Sequence, residues 1–127
     1  MVDHYPVTAI FTHMVERKFD EERLSEILKA TSDKTRRSIL TTLVQEGPKR
    51  VTDLATYFDM SLNSVSKHIK VLEAAGLVAR KTIGRTHTIS ACMEPVSMID
   101  GWLSELRSAW EKRLEQLDFV LREHGNE

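Results

Sequence analysis

Thiols are almost missing from this chain of 127 residues, in which Cys92 is the one cysteine. That excludes a disulfide within the chain and any cysteine-rich zinc site. Long apolar runs are missing too. No stretch of 18 or more apolar residues occurs and no signal-peptide layout opens the sequence, so a soluble, cytoplasmic protein without a membrane partner is expected. Enzyme signatures are equally scarce: there is no glycine-rich phosphate loop, no Gly-x-Ser-x-Gly elbow and no His-Glu-x-x-His helix. Carboxylates are plentiful, but they sit among lysines and arginines on solvated helix faces, as at Glu111, Lys112, Arg113 and Glu115. No candidate nucleophile has an evident base, so neither catalysis nor a cofactor is expected. With 41% apolar and 29% charged residues, the chain reads as one small domain with a modest core.

Excess charge of either sign is also lacking, since the net charge is −1. The distribution is uneven, however. From Ser61 to Thr88 five basic residues (Lys67, Lys70, Arg80, Lys81, Arg85) face one acid, Glu73. From Lys34 to Met60 the balance is five bases to three acids. The first 33 residues carry four bases and seven acids, and residues 94–127 carry four and eight. Such a polarised molecule can meet an anionic polymer with one face despite its neutral average.

The basic centre coincides with the clearest pattern in the chain. Residues 52–78, TDLATYFDMSLNSVSKHIKVLEAAGLV, read as two helices joined by a tight turn, a helix-turn-helix. On the second helix Leu62, Val65, Ile69 and Leu72 form an apolar stripe; at about 100° per residue, Asn63, Lys67, Lys70 and Ala74 fall on the opposite side. That front carries two lysines, an amide and small residues, with no acid before Glu73. It suits the major groove of a DNA duplex, where Asn63, Ser64 and Lys67 are candidates for base edges and Ser66 for a flanking contact. An ordinary helical hairpin in a bundle is the alternative. The first helix spans Thr52 to Phe58, with Leu54, Ala55 and Phe58 on one side. Asp59 takes the turn position, where glycine is commoner, and tolerates the left-handed conformation better than most residues. Ser61 is a good N-cap for the second helix.

Ala75-Gly76-Leu77 gives that helix a glycine stop, and VARKTI and THTIS then make two short strands around Gly84-Arg85. Two central residues led by glycine suit a type II′ hairpin turn. The order is that of a winged helix, with Arg85 at the wing tip as a phosphate or minor-groove contact, or as a solvated turn residue. Ser61, Lys70, Lys81 and Arg85 are the candidates for phosphate and wing contacts.

Upstream, TRRSILTTLV (35–44) reads as a core helix with Ile39, Leu40, Leu43 and Val44 inward, ended by Gly47-Pro48. Residues 1–18 have no clear period and are set aside as an N-terminal arm; 19–127 form the domain. At the C-terminus, Val96, Ile99, Leu103, Leu106, Trp110, Leu117 and Val120 recur at three- and four-residue spacing, interrupted only by Arg113 and widened by Trp102, Leu114 and Leu121. A helix over about 95–122 with so broad an apolar side either packs back on its own domain or pairs with a second copy. Pairing through Ile99, Trp102, Leu103, Leu106, Trp110, Leu114 and Leu117, completed by Leu24 beside Ile27 and Leu28, is the preferred reading. The expected fold class is mostly α with a small β-hairpin wing, dimeric through its terminal helices.

The segments SDKTRRSIL (32–40), VTDLATYFDMSLNSVSKHIKVLEAAGLV (51–78), GRTH (84–87) and WLSELRSAWEKRLEQLDFVL (102–121) together resemble the ArsR-type winged-helix repressors, in a branch without obvious metal ligands. The resemblance covers about Ser32 to Leu121. It implies a homodimer whose first and last helices pair, with the two Ser61–Ala75 helices in successive major grooves of a pseudo-palindromic operator. Repression would follow from occupying a promoter.

Many repressors of that family release DNA on binding a metal, and their ligand positions can be checked in this chain. The resemblance puts a cysteine pair of arsenic- and cadmium-type sensors at Arg50 to Ala55, where there is no thiol. For the zinc-type site Asp100 is present, but the next histidine is His124, far along the helix. Redox sensing through two cysteines fails on the single Cys92, which is expected to be a small buried residue. No metal site is expected. His68 lies at the edge of the apolar stripe and is read as bonding a neighbouring element in preference to phosphate; His87 touches the DNA backbone or faces solvent, and His4, His13 and His124 lie near the ends. Sequence-specific binding to double-stranded DNA is thus expected, with no small-molecule effector indicated. The alternatives are a winged-helix module for protein partners, or a repressor released by a ligand or metal at a non-standard site.

Overall fold

The computed structural model describes residues 20–125, and the N-terminal arm of residues 1–18, with His4 and His13, lies outside them. Residues 20–31 form helix α1, which buries Ile27 and Ala30. A two-residue joint follows, and its chemistry explains why SDKTRR stands there. Asp33 N-caps helix α2 (Lys34–Glu46), its carboxylate accepting the Arg36 N–H at 3.0 Å. The open carbonyls at the end of α1 are met from the same turn. Arg36 Nε donates to Ala30 O at 2.7 Å, and Arg37 Nη1 donates to Thr31 O at 2.8 Å.

Helix α2 turns Ile39, Thr42 and Leu43 inward, with Leu40 on the flank. Val44, expected inside, is half exposed. Ile39, Thr42 and Leu43 stand at i, i+3 and i+4 and share one face, whereas Val44 lies a further 100° round the helix. Thr42 replaces it at little cost, because its hydroxyl donates to Ser38 O at 2.9 Å. After Gly47 comes a strand the sequence did not announce, β1 (Lys49–Arg50), which leads directly into helix α3 (Val51–Tyr57).

Helix α3 buries Val51, Leu54 and Ala55, one residue earlier in its bounds than the spacing suggested. Asp59 takes φ +51°, the left-handed turn expected of it, and the Met60 N–H returns to Ala55 O at 2.9 Å. Helix α4 (Leu62–Ala74) then starts from Ser61, whose hydroxyl accepts the Ser64 N–H at 3.1 Å. It ends in a paired C-cap: Gly76 (φ +76°) donates to Glu73 O at 2.9 Å and Leu77 to Leu72 O at 2.9 Å. Val65, Ile69 and Leu72 are fully buried. Leu62, expected on the same stripe, is 52% exposed, because the core closes one turn further along the helix at Val65.

Strands β2 (Val78–Ile83) and β3 (Thr86–Ala91) make the hairpin, with Ile83 opposite Thr86. Gly84 at φ +61° is followed by Arg85 without a positive φ, as a type II′ turn requires. Strand β1 pairs antiparallel with β3, giving a three-stranded sheet in the order β1-β3-β2. Ile89 of β3 is fully buried and joins Ile27, Ile39, Leu54, Leu72 and Leu77 in one core.

Helix α5 (Glu94–Gly125) is 32 residues long. Its first turns dock: Pro95 is buried, Val96, Met98 and Ile99 pack on the core, and Arg23 of α1 reaches Glu94 at 2.6 Å. From residue 100 onward every described position is exposed, so α5 does not fold back on its own domain. Among the described residues no helix is long and apolar enough to cross a membrane.

Candidate nucleic-acid interface

A reading surface needs a helix fixed from behind. Val65, Ile69 and Leu72 provide that anchorage, and the flanks of α4 are tied by polar contacts on each side. On one flank His68 Nδ1 lies 3.5 Å from Arg36 Nη1 and 3.8 Å from Asp33 Oδ2, which locks α4 to the joint between α1 and α2. The bonding role expected of His68 is therefore the one observed. Asp33 itself is held below the ordinary carboxylate range, chiefly by the Arg36 backbone N–H it accepts and further by the Arg36 and His68 charges. On the other flank Arg80 of β2 grips Glu73 of α4, with Nη2 and Nε at 2.8 and 3.2 Å from Oε1. This pair fixes the wing relative to the helix and occupies the one acid in the basic segment.

What remains in front is cationic. Asn63, Lys67 and Lys70 are exposed along α4, and Lys81 and Arg85 are exposed on the wing. Among the described residues, none of these four cations forms a salt bridge, the pairs being Arg23–Glu94, Lys49–Glu46, Arg50–Asp53, Arg80–Glu73 and Arg122–Asp118, with His68 beside Asp33. Ser61 and Ser64 are engaged with each other, since the Ser61 hydroxyl donates to Ser64 Oγ at 2.9 Å while capping the helix. Ser66 is half-buried. The two serines therefore order the start of α4, and Asn63 and Lys67 project ahead of them, one turn apart.

Two features of this surface were not legible in the sequence. Strand β1 places Arg50 opposite Thr88, and Thr88 stands opposite Lys81, so Arg50, Thr88 and Lys81 form a row across the sheet. Arg50 is also bidentate to Asp53 at 3.0 and 3.1 Å, which holds that carboxyl below its ordinary range. A two-residue strand carries no periodicity that could have announced the row. The second feature is Leu62, an exposed aliphatic side chain at the head of the helix. His87 bonds Thr82 across the hairpin at 3.0 Å. Cys92 is half-buried, and its N–H donates to Leu77 O at 2.8 Å. Among the described residues no group of three or more His, Cys, Asp or Glu side chains is placed to hold a metal ion.

Away from this face, the residues expected to join two copies divide in two. Trp102, Leu103, Leu106, Trp110, Leu114 and Leu117 are exposed, Trp110 to 60%. Leu24 and Ile99 are half-buried within the chain, Ile99 against its core.

Comparison with known proteins places this geometry. A family model described as a helix-turn-helix domain matches residues 31–81. An uncharacterized HTH-type transcriptional regulator of Bacillus subtilis (strain 168), YuzN, is 34% identical over 84 residues, which is 61% of this chain and 91% of that relative. The crystal structure of an ArsR family transcriptional regulator superposes with a TM-score of 0.68 at 40% identity, covering 72% of this chain and 93% of that one. A homodimeric winged helix-turn-helix DNA-binding domain from Mycobacterium bovis, solved by NMR, shares the fold at 22% identity with a TM-score of 0.55 over 91% of this chain and 95% of its own.

Proposed function

We propose that this chain, which belongs to the ArsR family of helix-turn-helix transcriptional regulators, represses transcription as a homodimer seated on a pseudo-palindromic operator. The observation that carries the reading is the front of α4 and the wing: Lys67 and Lys70 on a helix whose back is fully buried, with Lys81 and Arg85 on the wing, all exposed and, among the described residues, free of salt bridges. A helix so presented meets base edges with Asn63, Ser64 and Lys67, and Ser66 flanks them. Ser61, Lys70, Lys81 and Arg85 hold the sugar-phosphate backbone, Lys81 and Arg85 from the wing. An interaction module for proteins would have no use for so acid-poor a face.

Residues 19–127 act as one unit, and about 95–122 join two copies. The apolar stripe of α5, Trp102, Leu103, Leu106, Trp110, Leu114 and Leu117, is a surface that water disfavours, and a second α5 related by a two-fold axis covers it in kind. Leu24 and Ile99 border that interface from the domain side. That the Mycobacterium bovis domain of the same fold is homodimeric is consistent with two copies pairing. Two α4 helices so related meet half-sites about 34 Å apart, one turn of duplex, and occupation of the promoter excludes the transcription machinery.

Selection of binding sites from a random duplex library tests the reading. Enrichment of a two-fold-related motif with half-sites a whole number of turns apart is the expected result. Recovery of an unenriched library would contradict it.

A further inference from the structure

Leu62 is the side chain that the reading of α4 leaves unexplained. It is the first residue of the helix, directly after the N-cap Ser61, and it stands 52% exposed although its spacing to Val65 and Ile69 marks it as core. One exposed leucine is ordinary on a protein surface; the position of this one is not. The N-terminal end of a recognition helix is the end that reaches the base edges. Around Leu62 the exposed residues of that end are Ser61 and Asn63, polar and able to form hydrogen bonds, and Leu62 is the only aliphatic side chain exposed in the first turn.

The docked start of α5 does not account for it. The C-terminal end of α4 is the end that borders α5, where a Cβ on Gly76 would lie 3.6 Å from Pro95 Cγ. Leu62 lies at the far end of a helix of 13 residues, about 18 Å from that border at 1.5 Å per residue. Leu62 is thus separated from the docked start of α5 by the length of α4.

The major groove offers an aliphatic side chain one apolar partner, the C5-methyl group of thymine. We propose that Leu62 is a specificity-determining residue that selects thymine in each half-site by packing on this methyl group, beside the base contacted by Asn63. The inference rests on the DNA-reading role of α4 proposed above and deepens it. Asn63 and Lys67 supply donors and acceptors; Leu62 adds discrimination between thymine and cytosine, which differ at that edge by the methyl group and by an acceptor in place of a donor.

The test uses the full-length protein and the duplex that it selects from a random library. Each thymine of one half-site is replaced singly by deoxyuridine, which removes only the methyl group. One position should weaken wild-type binding about fourfold, the factor equivalent to ~0.8 kcal/mol for one buried methyl-sized group at 1.4 kcal/mol per tenfold. Leu62→Ala should bind the thymine duplex more weakly and show no difference between thymine and deoxyuridine at that position. Leu62→Gln, selected afresh from the library, should lose its preference for thymine there. Circular dichroism and thermal melting confirm that both variants are folded, as a half-exposed site predicts. Equal deoxyuridine sensitivity in wild type and Leu62→Ala, or no sensitive thymine at all, would overturn the assignment while leaving DNA reading by α4 intact. Failure of the wild-type protein to select any duplex would overturn both.

Discussion

At the scale of single residues, the proposed function divides the front of α4 and the wing into side chains that read sequence and side chains that hold phosphate. Lys67 projects from the middle of α4 among the base-edge candidates, so Lys67→Ala should lower affinity for the operator more than for random DNA, by a factor equivalent to about 1–3 kcal/mol if its contact is bidentate. Lys70→Ala and Arg85→Ala should weaken all duplexes alike and reduce the salt slope by about one unit each. Anisotropy titrations at several salt concentrations on both duplexes distinguish the two behaviours; equal losses for Lys67→Ala would remove it from the readers. Asp33 provides a pH signature of a different kind. Its carboxyl is held low by the Arg36 N–H and by the neighbouring Arg36 and His68 charges, so it stabilises the fold fully above the ordinary carboxylate pKa of ~3.9. That contribution is lost as pH falls through the lower folded-state value. Asp33→Asn keeps an N-cap but not the charge, and should be less stable than wild type at pH 7, by a margin that shrinks as the pH is lowered into the acid range. Denaturant titrations along a descending pH series measure this, and a gap that did not narrow in acid would contradict the assignment.

Elements are where sequence and structure can be compared most closely. Helix α4 was readable to its ends because three independent signals agreed: the Val65, Ile69 and Leu72 spacing, the Ser61 cap and the Gly76 stop. The hairpin was readable because Gly84-Arg85 fits only a few two-residue turns. Three things were not. Helical spacing fixes which residues share a face but not where the neighbouring element ends, so it extends the core to Leu62 and Val44 whereas the packed core stops short of both. Strand β1 is too short to show a period and exists because β3 offers it an edge. The fate of α5 depends on packing that no local pattern records. The C-cap of α4 yields a further prediction. A Cβ at Gly76 would find room at 3.6 Å from Pro95 Cγ, so the penalty of Gly76→Ala comes from the left-handed backbone, φ +76°, and should be about 1–2 kcal/mol by chemical denaturation. A neutral Gly76→Ala would show that the turn relaxes.

The whole molecule is organised by polarity of charge and of apolar surface. Over α4 and the wing, from Ser61 to Thr88, five bases face one acid, whereas residues 94–127 carry eight acids to four bases and the long apolar stripe of α5. A molecule so polarised can meet a polyanion with its basic segment despite a net charge of −1. Trp110 lies at the middle of the exposed stripe, so Trp110→Asp should convert a dimer to a monomer in sedimentation equilibrium while leaving the helical content unchanged. It should also weaken operator binding far more than binding to a single half-site. A tight dimer of the Trp110→Asp protein would place the interface elsewhere.

Sequence-specific DNA binding through α4 and the wing can be measured directly by fluorescence anisotropy of the purified protein on the selected duplex and on a scrambled duplex of the same composition, each at two salt concentrations. At least ~10³-fold preference for the selected duplex is expected, with a steep loss of affinity on both duplexes as salt rises. Weak, equal and strongly salt-dependent binding to the two would contradict it.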